Sequence, residues 1–335
     1  MQDIPKTTNG VIISEDSTLK FGEFPLPELG ENDLLIKVHS APINPSDQYS
    51  FVGLYADGKG RPALAGLEGS GLVVATGTTD KAKALLNKRV AFFTGSKSGT
   101  WAEHNVTSAD NAFPLPENVD YEQGAMYLVN PLTVQGLLNL CEDNKYTAVA
   151  SSAAASQVGR MFIKAAKEAG ITVVNFVRRE AQVQVLKDLG ADHVINRGQE
   201  GWEEEAKKVT GEVKVQAFFD ALGGPDAGAI ISTLPDGAIT YNYGLLTLKP
   251  LQISGDDLIF KRKEVKGYWL ATDLRSPDAG ERTFARAFSR IATGVFHSVI
   301  GGRFTHENFQ QALDAYASNM TKGKVLIQNA NFGEN

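Results

Sequence analysis

Two arginines, Arg178 and Arg179, close the β-branched run Ile171-Thr172-Val173-Val174-Asn175-Phe176-Val177, and they lie 19 and 20 residues beyond Gly159. An Asp or Glu at that distance from a dinucleotide turn accepts bonds from ribose hydroxyls. Guanidinium groups there pair instead with the 2′-phosphate of NADPH. Gly159 ends a small-residue turn that begins at Ser151, with Ala154 and Ser156 standing in the first two positions of a G-x-G-x-x-G fingerprint. Ala and Ser still let the backbone approach a phosphate, and the Ser156 hydroxyl can add a donor. On the turn alone, a cofactor site and a βαβ unit that binds nothing both remain open. The arginine pair separates them. Its other reading is a solvated charge run opening the helix predicted over 181–189, which is disfavoured because cations at a helix N-terminus oppose its dipole.

These residues need a strand, a helix and a second strand to position them. Ala148-Val149-Ala150 reads as the first strand. Val158, Met161, Phe162, Ala165, Ala166 and Ala169 recur with helical spacing, and Gly170 stops the helix. Helix and strand then alternate: helices over 181–189, 202–209 and 226–234, strands over 193–195, 215–220 and 238–241. That order predicts a doubly wound parallel sheet in an α/β protein. The first third is β-rich by contrast, with strands over 10–13 and 33–40 and a further β pattern over 89–93 and 99–104. Between them Asn44-Pro45-Ser46-Asp47 is a turn-forming sequence expected to present Asn44 and Asp47 into a cleft. Residues 121–129 read as a helix broken at Asn130-Pro131, with helix resuming over 132–140. The tail adds helices over 280–292 and 307–317 and a strand over 324–328 that is expected to rejoin the first domain. The change of pattern places the boundary near residue 122.

Composition narrows the chemistry. The chain has 335 residues, a net charge of −6 and one cysteine, Cys141. The charge gives no global attraction to nucleic acid or anionic membrane. A single thiol excludes an internal disulfide and a multi-cysteine zinc lobe, and Cys141 reads as a small buried residue. No apolar run approaches bilayer length, and the N-terminus has neither a secretory core nor an Arg-rich amphipathic pattern. A cytoplasmic location is the expectation. A mitochondrial matrix protein whose transit peptide had been removed would read identically.

Several stretches together carry a likeness. They are Ala41-Pro42-Ile43-Asn44-Pro45-Ser46-Asp47, Gly53-Leu54-Tyr55, Gly66-Leu67-Glu68-Gly69-Ser70-Gly71, Val129-Asn130-Pro131-Leu132-Thr133, Ala155-Ser156-Gln157-Val158-Gly159, the run from Lys187 to Ile195, and Lys266-Gly267-Tyr268-Trp269-Leu270. The chain resembles the medium-chain dehydrogenase/reductase superfamily over essentially its whole length, in particular its zinc-independent quinone reductases and mitochondrial-type trans-2-enoyl thioester reductases. The resemblance implies a GroES-like β-rich catalytic domain over 1–122, completed by 270–335, and a Rossmann NADPH-binding domain over 123–269. Zinc-dependent members place a Cys where this chain has Asn44 and a His where it has Leu67, so no metal is expected.

The same resemblance assigns roles. Tyr55 matches the tyrosine that enoyl reductases hold near the substrate, where a phenol can donate to the carbonyl oxygen as hydride reaches the β-carbon. Tyr49 matches a tyrosine of quinone reductases, and with Asn44 it is expected to line the substrate pocket. Asn130, Ala155, Ser156, Gln157, Val158, Tyr243, Gly244, Tyr268, Trp269 and Lys324 would contact the cofactor, beside Arg178 and Arg179. Plainer roles compete at three of these: Asn130 as a helix cap, Trp269 as core, Lys324 as a solvated strand end. The run Lys261-Arg262-Lys263-Glu264-Val265-Lys266 could receive coenzyme A phosphates or an acyl carrier protein, although a solvated edge is the plainer reading.

The implied activity is NADPH-dependent, metal-free hydride transfer to an activated C=C acceptor: an enoyl thioester, an enone or a quinone. A one-electron quinone reductase is one alternative. An NADPH-binding accessory or structural protein that has lost turnover is another. A homodimer formed through the Rossmann sheet edge is expected, with no membrane insertion and no nucleic-acid partner.

Overall fold

The computed structural model describes residues 4–53, 60–95, 98–318 and 320–333. In chain order it opens with strands β1 (Thr7–Ile13), β2 (Leu19–Pro25) and β3 (Asp33–Pro42), helix α1 (Pro45–Phe51), and strands β4 (Ala63–Leu64) and β5 (Glu68–Thr76). Helix α2 (Asp80–Ala84), strands β6 (Arg89–Phe93), β7 (His104–Ser108) and β8 (Ala112–Pro114) and helix α3 (Tyr121–Gly124) follow. Then come α4 (Val129–Asp143), β9 (Ala148–Ser151), α5 (Gln157–Glu168), β10 (Thr172–Val177), α6 (Glu180–Asp188), β11 (His193–Asn196) and α7 (Trp202–Glu212). The chain continues through β12 (Ala217–Asp220), α8 (Gly224–Ser232), β13 (Ile239–Asn242), α9 (Gly255–Ile259), β14 (Glu264–Gly267), α10 (Leu270–Arg275) and α11 (Pro277–Ala292). It ends with β15 (Ile300–Thr305), α12 (Phe309–Ser318) and β16 (Lys324–Gln328).

Two compact units result. Met1–Val129 and Ser298–Asn335 form one, Asn130–His297 the other. In the first, the long strand β3 is buried over most of its length and pairs antiparallel with β5, β7 and β16. Val325 and Ile327 of β16 pack into one core with Val11, Ile13, Ala41, Ile43 and Trp101. The last strand therefore returns because the first unit's core is incomplete without it.

In the second unit six parallel strands lie in the order β11-β10-β9-β12-β13-β14. β9 and β12 are buried at every residue, as strands covered on both faces by helices must be. The strand order reverses between β9 and β12. At such a point the loops leaving the two strands diverge to opposite faces and open a crevice.

Three boundaries differ from the sequence expectation. The units part after Val129 rather than near residue 122, and the return to the first unit begins at Ser298 rather than at 270. The segment after 270 is retained because α11 packs on α4: Asn139 Nδ2 donates to Thr283 Oγ1 at 2.9 Å, Arg290 Nη1 to Gln135 Oε1 at 2.5 Å, and Arg282 forks onto Asp143 at 2.7 and 2.8 Å. Asn130-Pro131 does not break a helix; it lies in the first turn of α4, where a missing proline N–H costs no helical bond. The stretch after Asn44 is helical as well. Pro45 opens α1, and the Asn44 backbone N–H donates back to Asp47 Oδ2 at 2.7 Å.

Cys141 is buried in α4, and burial pushes its thiol up to about 12, which leaves it unreactive. Among the described residues no helix is long and apolar enough to cross a membrane.

Candidate active site

The turn between β9 and α5 sits at the reversal point of the second unit's sheet. Ser156 caps α5, its Oγ accepting from Gly159 N at 3.2 Å. The hydroxyl spends a lone pair on the cap and keeps its proton as a donor. Gly159 is fixed by space: a Cβ there would lie 2.3 Å from the Ala154 carbonyl oxygen. Ala153 carries the turn's left-handed residue at φ 47°, so the sequence bends the backbone without the first two glycines. Ala155 and Gln157 are buried, while Ser156 and Val158 are half-exposed. Arg160 Nε donates to the Ala155 carbonyl at 3.1 Å and braces the turn from inside α5.

A buried carboxylate that the sequence reading passed over builds the other side of the crevice. Asp220, the last residue of β12, accepts from Ser152 Oγ at 2.7 Å and Leu222 N at 3.0 Å on one oxygen. Its second oxygen accepts from Gly223 N at 2.9 Å and Asn242 Nδ2 at 2.8 Å. The ends of β9, β12 and β13 are thereby tied to one anchor. The Tyr243 backbone N–H donates to the Asp220 carbonyl at 2.8 Å, and a Cβ on Gly244 would fall 2.8 Å from the Ala221 carbonyl. Tyr243 and Gly244 thus stand on the β12 side of the crevice, across from Ser156. Only the position of Asp220 at a strand end could have signalled this in the sequence.

Arg178 and Arg179 are exposed at the end of β10, and Arg179 caps α6. Both backbone N–H groups donate to Gln182 Oε1 at 3.0 Å, which fixes the main chain that carries the two exposed side chains. The loop after β11 closes beside them: a Cβ on Gly198 would lie 2.6 Å from the Arg178 carbonyl. Glu180, the nearest acid in the chain, is occupied by Asn196 Nδ2 and Gln199 Nε2, each at 2.9 Å. A helix N-terminus, a backbone-lined turn and two exposed guanidinium groups at one end of a parallel sheet fit a phosphorylated dinucleotide.

Other candidates are placed differently. Of Tyr268 and Trp269, both expected at the cofactor, it is Tyr268 that is buried. Tyr268 is buried with its hydroxyl lodged on α4, where a Cβ on Gly136 would lie 1.8 Å from it. Burial and the Asp273 carboxylate beside it raise its pKa. Trp269, the residue with the core reading, is 41% exposed and stacks with the Arg275 guanidinium at 5.2 Å. Asn130 is buried in the first turn of α4. The basic run after α9 is neutralised in place. Lys261 pairs with Asp256 and Asp257, Lys266 with Glu264, and Lys263 is buried on Asp257 and the Ile231 carbonyl. Little of that run is left as a landing patch for phosphates.

In the first unit, Asn44 and Asp47 point inward rather than into an open cleft, at 1% and 0% exposure. The Asn44 amide is spent on Glu68 and Lys324, and Lys324 is buried with it rather than extended toward solvent. Tyr49 is half-buried on α1. Tyr55 lies outside the described residues.

Residues 30–117 match the family model for the alcohol dehydrogenase GroES-like domain, and residues 158–292 match the model described as zinc-binding dehydrogenase. A mitochondrial enoyl-acyl-carrier-protein reductase of Arabidopsis thaliana is 32% identical over 271 residues, covering 78% of this chain and 70% of the relative. The enzyme of the same name from Caenorhabditis elegans is 28% identical, with 88% and 86% covered. The crystal structure of a Mesorhizobium loti protein described as an NADPH:quinone reductase superposes with a TM-score of 0.90 at 32% identity, covering 98% of this chain and all of that one.

Proposed function

We propose that this chain, which belongs to the zinc-independent branch of the medium-chain dehydrogenase/reductase superfamily, reduces the activated C=C bond of an enoyl thioester by hydride transfer without a metal. It is an NADPH-dependent oxidoreductase. The observation that carries the reading is the crevice where β9 and β12 diverge, with the Ser156 cap on one side and exposed arginines at the end of β10. NADPH, when bound, supplies the hydride. Ser156 and the first-turn N–H groups of α5 would hold the pyrophosphate, and Arg178 and Arg179 would hold the 2′-phosphate. Gly244, pressed against Ala221 where a Cβ would not fit, would stand with Tyr243 by the ribose and nicotinamide. On the acceptor side Asn44 and Leu67 offer neither thiolate nor imidazole, so activation of the carbonyl falls to a hydrogen-bond donor, Tyr55.

Quinone reduction is the second reading, favoured by the full-length likeness to the Mesorhizobium loti protein and by Tyr49 on α1. Steady-state assays with NADPH on the coenzyme A thioester of crotonate and on a naphthoquinone separate the two. Higher kcat/KM on the thioester is expected, and absence of thioester turnover would overturn the leading reading.

A second copy of the chain is the proposed partner. β14 closes one side of the sheet, is exposed at all four residues and, among the described residues, pairs only with β13. Phe260, Ile259 and Val265 are exposed around it. An unpaired strand edge beside exposed apolar side chains is a surface that seeks a partner. Phe260→Asp with Val265→Asp should shift the sedimenting species from dimer to monomer; a monomeric unmodified protein would refute the assignment.

A further inference from the structure

The polar cluster around Asn44 is not consumed by the hydride chemistry above. Asn44 bridges two charged residues from distant parts of the chain, Glu68 at the start of β5 and Lys324 at the start of β16. Its Nδ2 donates to Glu68 Oε1 at 2.8 Å, and its Oδ1 accepts from Lys324 Nζ. The other Glu68 oxygen accepts the backbone N–H groups of Leu128 at 3.2 Å and Val129 at 2.9 Å, where α4 begins. Lys324 Nζ also donates to the Ile43 carbonyl at 2.8 Å. The hydrogen-bond partners of Glu68 are all donors and those of Lys324 all acceptors, which is the pattern of a carboxylate and an ammonium.

We propose that Glu68 and Lys324 are positioning residues of the reductase: a buried charge pair, transmitted through the Asn44 amide, that fixes the start of α1 and the start of α4. This rests on the reading of α1, with Tyr49, as part of the acceptor site. Asn44 is the N-cap of α1, so any movement of its amide moves the helix entrance that Asp47 braces. The C-terminal strand supplies the cation because β16 pairs with β3 next to Asn44, and the Ile43 N–H donates to the Val325 carbonyl at 2.9 Å. Asn44 thus lies between an internal carboxylate and an internal ammonium. Burial raises the Glu68 pKa and lowers that of Lys324 to about 8, and each charge sustains the other, with Asp47 a second anion near Lys324. Removing one member strands the other as an uncompensated buried charge.

Glu68→Gln tests the pair because it alters donors rather than shape. The new NH2 must face either the Asn44 NH2 or the backbone N–H groups of Leu128 and Val129. If Asn44 turns over to accept it, the Asn44 NH2 is aimed at the Lys324 ammonium. Adding Lys324→Met removes that conflict. The measurements are acceptor KM and kcat with saturating NADPH, the NADPH dissociation constant, and the melting temperature of both single variants and the double. Glu68→Gln is expected to raise acceptor KM roughly tenfold, and the double variant to recover most of that loss. Acceptor KM unchanged in both single variants, or losses that simply multiply in the double, would overturn the proposal. Should the unmodified protein reduce neither acceptor, the functional reading fails, yet the melting temperatures still decide the pair. A double variant more stable than Glu68→Gln upholds it, and a summed loss removes it. If the single variants do not fold, recovery of folded double variant upholds it and an unfolded double removes it.

Discussion

Replacing Arg178 and Arg179 together by alanine is expected to raise the NADPH dissociation constant by roughly 100-fold while leaving that for NADH within about threefold. The size follows from two charge-assisted hydrogen bonds to a phosphate, each worth about 1.5–3 kcal/mol and taken at the lower end because both side chains are exposed. NADH lacks the 2′-phosphate and makes neither bond. Exposure also makes the experiment clean, since surface side chains outside the core can be truncated with little loss of stability. The phosphate should be felt in the salt dependence too: NADPH affinity of the unmodified protein should fall with ionic strength more steeply than that of the variant. Fluorescence titration with both cofactors at two salt concentrations makes the comparison. If NADPH binding is unchanged, the arginines do not read the phosphate. If NADH binding falls equally, the variant has damaged the turn and not the charge site.

What the sequence revealed and what it hid have different physical causes. The second unit was legible because its signals are local. Gly170 ends a helix at φ 69°, the buried strands are continuous apolar runs, and helix and strand alternate at short intervals. The degraded fingerprint was readable for the same reason: Gly159 is required by a clash with Ala154, only five residues away in the chain. Asp220 was not legible, because its partners Ser152 and Asn242 become neighbours only when parallel strands are paired.

The burial of Tyr268 and not of Trp269 has the same origin. Residue type favours Trp as the buried member, but a glycine at position 136 of a different helix makes a slot for the tyrosine hydroxyl. The cluster of Asn44, Glu68 and Lys324 is the most distant case, spanning nearly the whole chain. Its one local sign, Asn44-Pro45-Ser46-Asp47, is a helix start as much as a turn, and α1 shows the helix start prevailing. The basic run after α9 was legible by contrast, because the acids that pair with its lysines, Asp256, Asp257 and Glu264, lie within or just before it in the chain.

Tyr55→Phe should lower kcat for the crotonyl thioester by roughly 100- to 1,000-fold and change naphthoquinone reduction by less than about threefold. When hydride reaches the β-carbon of an enoyl thioester, an electron pair is pushed onto the single carbonyl oxygen. That charge is localised, and a phenol donating to it contributes in the transition state far more than in the ground state. Phenylalanine keeps the ring and loses only the donor, so acceptor KM should move much less than kcat. One-electron reduction of a quinone spreads its charge over two carbonyl oxygens and the ring, and it needs no donor at one fixed point. The split between the two acceptors is therefore the informative readout. A loss shared equally by both would make Tyr55 a shaping residue of the pocket, and no loss on the thioester would remove it from the chemistry. The double variant Tyr49→Phe with Tyr55→Phe completes the test: if Tyr49 can substitute as donor, the single variant retains turnover that the double one lacks.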